Sequence, residues 1–388
     1  MSKTIFTFEK LYRAYLDCRE TKRKTINALK FEWNLERNLF QLQKELETKR
    51  YRPGRSICFV VKNPSPREIF AASFRDRVVH HLLIREIEAI GERKFIFDTF
   101  SCRKNKGTHL AVNRLRKFIR QITKNYRERA FYAQLDISGF FMSINHRILY
   151  SIFKKLILKQ NKSYQWEKDV LWLAKIIIFH KPIENYIIKG NPSLFKLIPP
   201  RKSLFDSGPD RGLPIGNYSS QFFANLYLNE LDQFVKREIK CKYYVRYVDD
   251  LVILSRDKEK LRLWRDEINK FLKEKLNLQL NLNKTRLQTI DRGIEFLGYF
   301  IKPQYTLVRK KVVSRLKDKL YRLNNAKEGI PGLNKILATI NSYYGHFQHA
   351  FSYNLRRHIY ENHLSKLREE FLPKPDYFSL KLNKSINM

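Results

Sequence analysis

Paired cysteines are missing from this sequence: Cys18, Cys58, Cys102 and Cys241 are scattered without CxxC spacing. That argues against a disulfide framework and for reduced thiols in a cytoplasmic protein. Long apolar runs are missing as well. The longest, VLWLAKIIIF from Val170 to Phe179, carries Lys175 and is too short to cross a bilayer. The N-terminal MSKTIFTFEK lacks the apolar stretch of a secretory signal, so no membrane role is expected. No internal repeat is found. Negative charge is scarce, with 38 acidic against 77 basic side chains and a formal net charge of +39.

What is present points to a globular protein with an anionic partner. The chain has 388 residues, 43% of them hydrophobic and 14% aromatic, enough for two or three packed units. A surplus of this size exceeds what solubility needs and favours a polyanion, because each neutralised phosphate releases condensed counterions.

Periodicity divides the chain. Residues 1–50 read as helix, with Leu39, Leu42 and Leu46 on one stripe. Ile57 to Val61, the turn KNPSPR and Ile69 read as a basic-tipped hairpin. Helices are expected over 75–90 and 108–123, separated by the loop SCRKNKG. AFYAQLDISGFFMSI alternates, so Asp136 ends a strand and points away from its core side. Residues 145–179 read as helical, 181–211 as a long loop or insertion, and a tight turn leads into a helix from Ser219. KYYVRYV and LVILS read as a hairpin with Asp249 and Asp250 at its tip. Leu261, Trp264, Ile268 and Leu272 form a helical stripe. Leu276, Leu278, Leu280 and Leu282 alternate as a strand, and GIEFLGYFI reads as a short strand kinked at Gly298. Residues 303–372 are expected to be helical and basic, and the last fifteen or so to form a polar tail.

This β, α, β, β, α, β order is that of a ferredoxin-like sheet, in which the strands bearing Asp136 and Asp249 are neighbours. Two converging carboxylates in a basic protein are the minimum for clamping a pair of Mg²⁺ ions for phosphoryl transfer.

The motifs resemble those of reverse transcriptases. YVDD at Tyr247 to Asp250 resembles the YxDD box, and QLDISGFF the first catalytic motif. REIFAASFRDRVVHHLL and FSCRKNKGTHLAV resemble finger motifs of bacterial enzymes related to group II intron reverse transcriptases. GLPIGNYSSQ resembles the motif that follows the insertion, and FLGYFI the primer grip. Most relatives have Gln before the Gly and Ser-Pro after it, where this chain has Ile215-Gly216 and Ser220-Gln221. That departure resembles the reverse transcriptases of diversity-generating retroelements, which copy a template RNA with errors at adenines.

The resemblance implies an α+β right-hand polymerase: an N-terminal extension (1–54), fingers and ferredoxin-like palm (55–302), a helical thumb (303–372) and a tail. It implies that Asp136 and Asp249 hold two Mg²⁺, replaceable by Mn²⁺, with Ile137 beside them and Asp250 a weaker ligand. Ile137, Ser138, Gly139 and Phe140 would lie along the triphosphate, and Phe141 would exclude a ribose 2′-hydroxyl. Lys62 and Arg67 would reach triphosphate oxygens, with Ile215, Gly216 and Gln221 near the nascent base pair and Lys284 protonating pyrophosphate. Phe296, Leu297, Gly298 and Tyr299 would hold the primer end, and Arg103 and Lys106 nucleic acid. Tyr343, Tyr344, His346 and His349 would help grip a hybrid.

Template RNA, primer or cDNA and dNTPs are the implied partners, with a structured noncoding RNA and a small basic accessory protein in addition. The rival readings are an antiphage defence reverse transcriptase working on a noncoding RNA, and a non-catalytic RNA-binding protein that kept the fold. An intron-encoded maturase is disfavoured because nothing after residue 372 reads as a DNA-binding or endonuclease domain.

Overall fold

The computed structural model describes residues 4–20, 22–63, 65–325 and 332–383. The N-terminal region expected as one helix forms three: α1 (Phe8–Arg19), α2 (Ile26–Glu32) and α3 (Leu35–Glu47). Thr7, Thr25 and Asn34 occupy the positions before them, where short polar side chains favour a cap over helix interior. Leu39, Leu42 and Leu46 are the buried face of α3, as their spacing predicts.

The finger hairpin follows as β1 (Ser56–Val61) and β2 (Arg67–Ala71), paired antiparallel from Ile57↔Ala71 to Val61↔Arg67. Next come α4 (Phe74–Lys94), α5 (Thr108–Ile122), β3 (Phe131–Asp136), the single turn α6 (Phe140–Ser143), α7 (His146–Leu158) and α8 (Tyr164–Phe179). The segment 181–211, expected as loop, contributes β4 (Tyr186–Ile188), which joins β1 in parallel and completes a sheet of order β2-β1-β4. Helix α9 (Tyr218–Gln233) then leads to the hairpin β5 (Tyr244–Tyr247) and β6 (Asp250–Ser255), and α10 (Lys258–Leu276) to β7 (Arg286–Thr289).

Strands β5, β6, β3 and β7 form one sheet in that order. Its central pair, β3 and β6, are the first and third strands in sequence, the adjacency expected of a ferredoxin-like chain. The apolar stripe of α10 is buried as expected, at Leu261, Ile268 and Leu272, with Trp264 beside them. The alternating run from Leu276 to Leu282 is no strand. Two of its amides are taken elsewhere, Leu278 N–H by the Leu272 carbonyl (2.9 Å) and Leu280 N–H by Asn269 Oδ1 (3.1 Å), while Asn281 N–H donates to the Asp136 carbonyl (2.7 Å) as part of an isolated antiparallel bridge, Ile137↔Leu280. With the first two donors committed, the run contributes a bridge at the end of β3 rather than a strand.

Contacts divide the chain into two compact units: Met1–Gly107 with Gln134–Ile253 and Arg262–Arg286, and Thr108–Ala133 with Leu254–Leu261 and Leu287–Met388. In the second, β8 (Ile294–Phe296), β9 (Tyr299–Ile301) and β10 (Thr306–Val308) form an antiparallel sheet, so GIEFLGYFI is a hairpin rather than a kinked strand. Helices α11 (Lys310–Asn325), α12 (Leu333–Phe347) and α13 (Tyr353–His363) bury Leu316, Leu320, Ile336, Ile340, Tyr344, Phe347 and Ile359 in one core. Of the expected polar tail, residues 384–388 lie outside the described residues, and the rest takes part in a hairpin, β11 (Phe371–Pro373) with β12 (Leu380–Leu382), which sends Phe371 and Leu380 into that core. Among the described residues no helix is long and apolar enough to cross a membrane.

Candidate active site

Three carboxylates gather where the first unit's strands end. Asp136 closes β3, Asp249 lies in the two-residue turn between β5 and β6, and Asp250 opens β6 opposite Tyr247. The tightness of this turn forces Val248 to φ +56°, a left-handed conformation that costs a β-branched residue about 1–3 kcal/mol. Burial, then the negative charges of Asp250 and Asp136, push the Asp249 carboxyl up to about 7, while Lys284 acts in the opposite direction. The three acids therefore share one electrostatic field.

Asp136 is anchored on both sides. Lys284 Nζ lies 3.0 Å from its Oδ1 and 2.9 Å from its Oδ2. The Asn281 amide nitrogen donates to Oδ2 at 3.2 Å, a partner with no sequence signal. Downstream, Ile137 is buried and bridges Leu280, and the Ser138 N–H donates to the Gln279 carbonyl (2.9 Å). The Ser138 amide is thus already committed, whereas Gly139 caps α6 and Phe140 is buried beneath it.

Two of the residues expected around an incoming nucleotide meet on one apolar cluster. Phe141 and Ile215 both pack against Cys58, Phe70, Met142 and Leu204. Phe70 N–H donates to the Ile215 carbonyl (2.9 Å), tying β2 to the GLPIGN turn. Gly216 follows at φ +127°, where a Cβ would come within 2.7 Å of Ile69 Cγ2, so only glycine fits without strain. Lys62 and Arg67 are exposed at the hairpin tip, and Gln221 is exposed on α9.

The residues expected to hold nucleic acid fare differently. Arg103 is only 6% exposed, pairs with Glu92 and donates to the carbonyls of Ile96 (2.7 Å) and Thr99 (3.0 Å). Lys106 donates to the Phe97 carbonyl (2.8 Å) and stands over the Phe97 ring. Both side chains are engaged in stapling their own loop, which a stretch of basic letters cannot reveal. In the second unit, Leu297 (φ +49°) and Gly298 (φ +88°) make the β8–β9 turn. Phe296 and Tyr299 are buried, and the Tyr299 ring stacks on His346, its hydroxyl donating to the His346 carbonyl at 2.8 Å. Tyr299 therefore fixes the hairpin instead of offering a ring outward, and Tyr344 is likewise a core residue. Glu68, a further buried acid missed in the sequence, accepts from Ser203 Oγ (3.1 Å) and the Leu204 amide.

Among the described residues no three His, Cys, Asp or Glu side chains form a ready-made metal cage. The acid cluster still suits Mg²⁺, an ion usually bound through one or two carboxylates with the remaining ligands from water or substrate phosphates. Crowded carboxylates, one of them raised to about 7, are also the arrangement a divalent cation relieves.

A family profile described as "Reverse transcriptase (RNA-dependent DNA polymerase)" matches residues 60–301. The protein YkfC of Escherichia coli K12 is 24% identical over 322 residues, covering 74% of this chain and 75% of that one. A Saccharomyces cerevisiae protein named for COX1/OXI3 intron 2 is 19% identical over 321 residues, covering 68% of this chain and 34% of its own. Among solved structures, the apo telomerase of Candida tropicalis superposes with a TM-score of 0.48 and 12% identity, over 82% of this chain and 56% of that chain. The Candida albicans telomerase with a TWJ fragment of telomeric RNA gives 0.47 and 11%, over 80% and 58%. The chain thus spans a third of the yeast protein and little over half of either telomerase.

Proposed function

The chain belongs to the reverse transcriptase family of RNA-dependent DNA polymerases, and we propose that Asp136, Asp249 and Asp250 are its polymerising centre. The observation that carries this reading is the shared field of the three acids, with the Asp249 carboxyl raised to about 7 and Lys284 bound to Asp136. Asp136 and Asp249 would hold two Mg²⁺, with Asp250 alongside. Such ions, when bound, supply activation of a primer 3′-hydroxyl and neutralise charge on the departing pyrophosphate.

The chain's own residues do the remainder. Lys62 and Arg67 bring positive charge to the triphosphate, and the Phe141 ring excludes a ribose 2′-hydroxyl. Lys284 carries a proton for the leaving pyrophosphate. Ile215 replaces a side chain able to hydrogen-bond near the base pair, which loosens discrimination and supports the error-prone enzyme of a diversity-generating retroelement. The exposed basic surface suits a template RNA and its cDNA.

The test is dNTP incorporation on an RNA template with Mg²⁺, followed by sequencing of the product. Asp249→Ala should lower the rate at least about 10³-fold, the scale of several kcal/mol of charge stabilisation. Errors concentrated at adenines support the retroelement assignment. Uniform fidelity would refute that assignment, and undiminished synthesis by Asp249→Ala would refute the site.

A further inference from the structure

Under the acid-bearing turn lies a charge that the proposed chemistry does not use. Arg246 projects from β5 and is 1% exposed, and its partner Asp232 on α9 is 0% exposed. Burying a guanidinium is costly unless every donor finds an acceptor. Here Nε reaches Asp232 Oδ1 (2.8 Å) and Nη2 reaches Asp232 Oδ2 (2.6 Å), a two-pronged pair. Tyr244, two residues earlier on the same face of β5, donates its hydroxyl to Asp232 Oδ1 (2.6 Å).

The third nitrogen is the informative one. Nη1 donates to the Val248 carbonyl (3.1 Å) and to Asn225 Oδ1 (3.3 Å). Val248 is the strained residue at φ +56°, and its carbonyl carbon is bonded to the nitrogen of Asp249. A rigid fork held by α9 therefore grips the peptide that aims the Asp249 carboxylate.

The strand beneath is pinned too. Arg246 N–H donates to the Asp98 carbonyl (3.0 Å), Phe100 N–H donates to the Arg246 carbonyl (3.1 Å), and the Asn225 amide nitrogen donates to the Ser101 carbonyl (2.8 Å). Segment 98–101 thus holds the Arg246 backbone and Asn225, while α9 holds the guanidinium through Asp232 and Asn225. A lysine could answer Asp232 but could not span both Asp232 and Val248, because it is a point charge without a planar fork.

We propose that Arg246, locked by Asp232, is a positioning residue that holds the strained Val248–Asp249 turn in its metal-accepting geometry. This rests on the reading of Asp249 as a metal ligand. The fork offsets the strain at Val248, and without it the turn relaxes and Asp249 swings from its place beside Asp136.

The test uses the full chain and Mn²⁺ as a spin probe, counting bound ion by electron paramagnetic resonance in the absence of nucleic acid. Arg246→Lys should fold, keep its affinity for an RNA/DNA primer-template within about twofold, and bind Mn²⁺ about tenfold more weakly. Its kcat should fall while the KM for dNTP changes little. Adding Val248→Asn, whose side chain tolerates the left-handed conformation, should recover part of the Mn²⁺ affinity. A loss of general packing would show no such recovery.

If Arg246→Lys does not fold, Arg246→Met with Asp232→Leu and Tyr244→Phe removes the buried charges together, a replacement that is often neutral or stabilising. It should show the same weakened Mn²⁺ binding. Wild-type Mn²⁺ affinity in the folded variant, or no recovery with Val248→Asn, overturns the proposal. Asp249→Asn measured alongside separates the two ideas: if it also binds Mn²⁺ as wild type does, the metal-site reading itself fails.

Discussion

Lys284 Nζ bridges both carboxylate oxygens of Asp136, at 3.0 and 2.9 Å. The pair joins the end of β3 to the turn before β7, so a cation that arrives late in the chain sits on an acid that closes the first palm strand. With the lysine side chain 55% exposed, the bond contributes little to stability, and its interest is chemical.

Lys284→Met should change unfolding free energy by less than about 1 kcal/mol. Its single-turnover rate should fall about 10²-fold or more, the usual scale for losing a general acid. Calorimetry and rapid-quench incorporation read the two effects separately. A full rate with a lowered melting temperature would assign Lys284 a purely structural part.

The raised Asp249 carboxyl fixes a pH dependence. Its value is about 7 in the folded, metal-free protein against the ordinary 3.8. Between those values the folded state keeps a proton that the unfolded chain has released, so folding stability declines as pH rises through that window. Below it both states are protonated and the effect vanishes. Asp249→Asn should therefore gain on wild type from pH 4 to 8 in thermal melts without metal. Mn²⁺ affinity of wild type should weaken below pH 7, since a ligating carboxylate must lose its proton.

At Gly216, φ is +127° and a Cβ would meet Ile69 Cγ2 at 2.7 Å. Gly216→Ala should cost about 1–3 kcal/mol. Because the Ile215 carbonyl binds the Phe70 amide, the KM for dNTP should rise while Mn²⁺ binding stays near wild type. Equal shifts in both would place the turn closer to the acids than its packing does.

Leu380 is buried in the core of the second unit, and its amide donates to Asn341 Oδ1 at 2.7 Å. Leu380→Ala should lower stability by about 2–4 kcal/mol, seen in urea titration. An unchanged midpoint would return this segment to the status of a tail.

Local patterns carried much of the fold. The alternation around Asp136, the apolar stripe of α10 and the order of elements were enough to expect a ferredoxin-like sheet, because side-chain period and strand order follow from short-range rules. The acids at the strand ends were legible for the same reason. What the letters did not show is which groups each side chain and amide meets in the folded chain. Arg103 and Lys106 read as nucleic-acid contacts, yet one pairs with Glu92 and the other with the Phe97 carbonyl. Leu276 to Leu282 alternates like a strand, but the Leu278 and Leu280 amides go to Leu272 and Asn269. Leu380 alternates with Phe378 and Leu382 in a short stretch, and only the core it enters shows its role. Arg246 gave no signal at all, since one arginine in a basic chain looks like any other.

The parallel pairing of β4 with β1 makes the 181–211 segment harder to dispense with than an insert. Ser56 N–H donates to the Asn185 carbonyl and Lys189 N–H to the Cys58 carbonyl, so the flank of β1 is covered for its first half. Ile183, Tyr186, Phe195 and Leu204 of the same segment complete the apolar wall behind Phe141 and Ile215. Excising it would leave β1 as a bare sheet edge, a template on which a second chain can add a strand. A shortened protein would fail first by sticking to itself in solution, before its chemistry could be assayed.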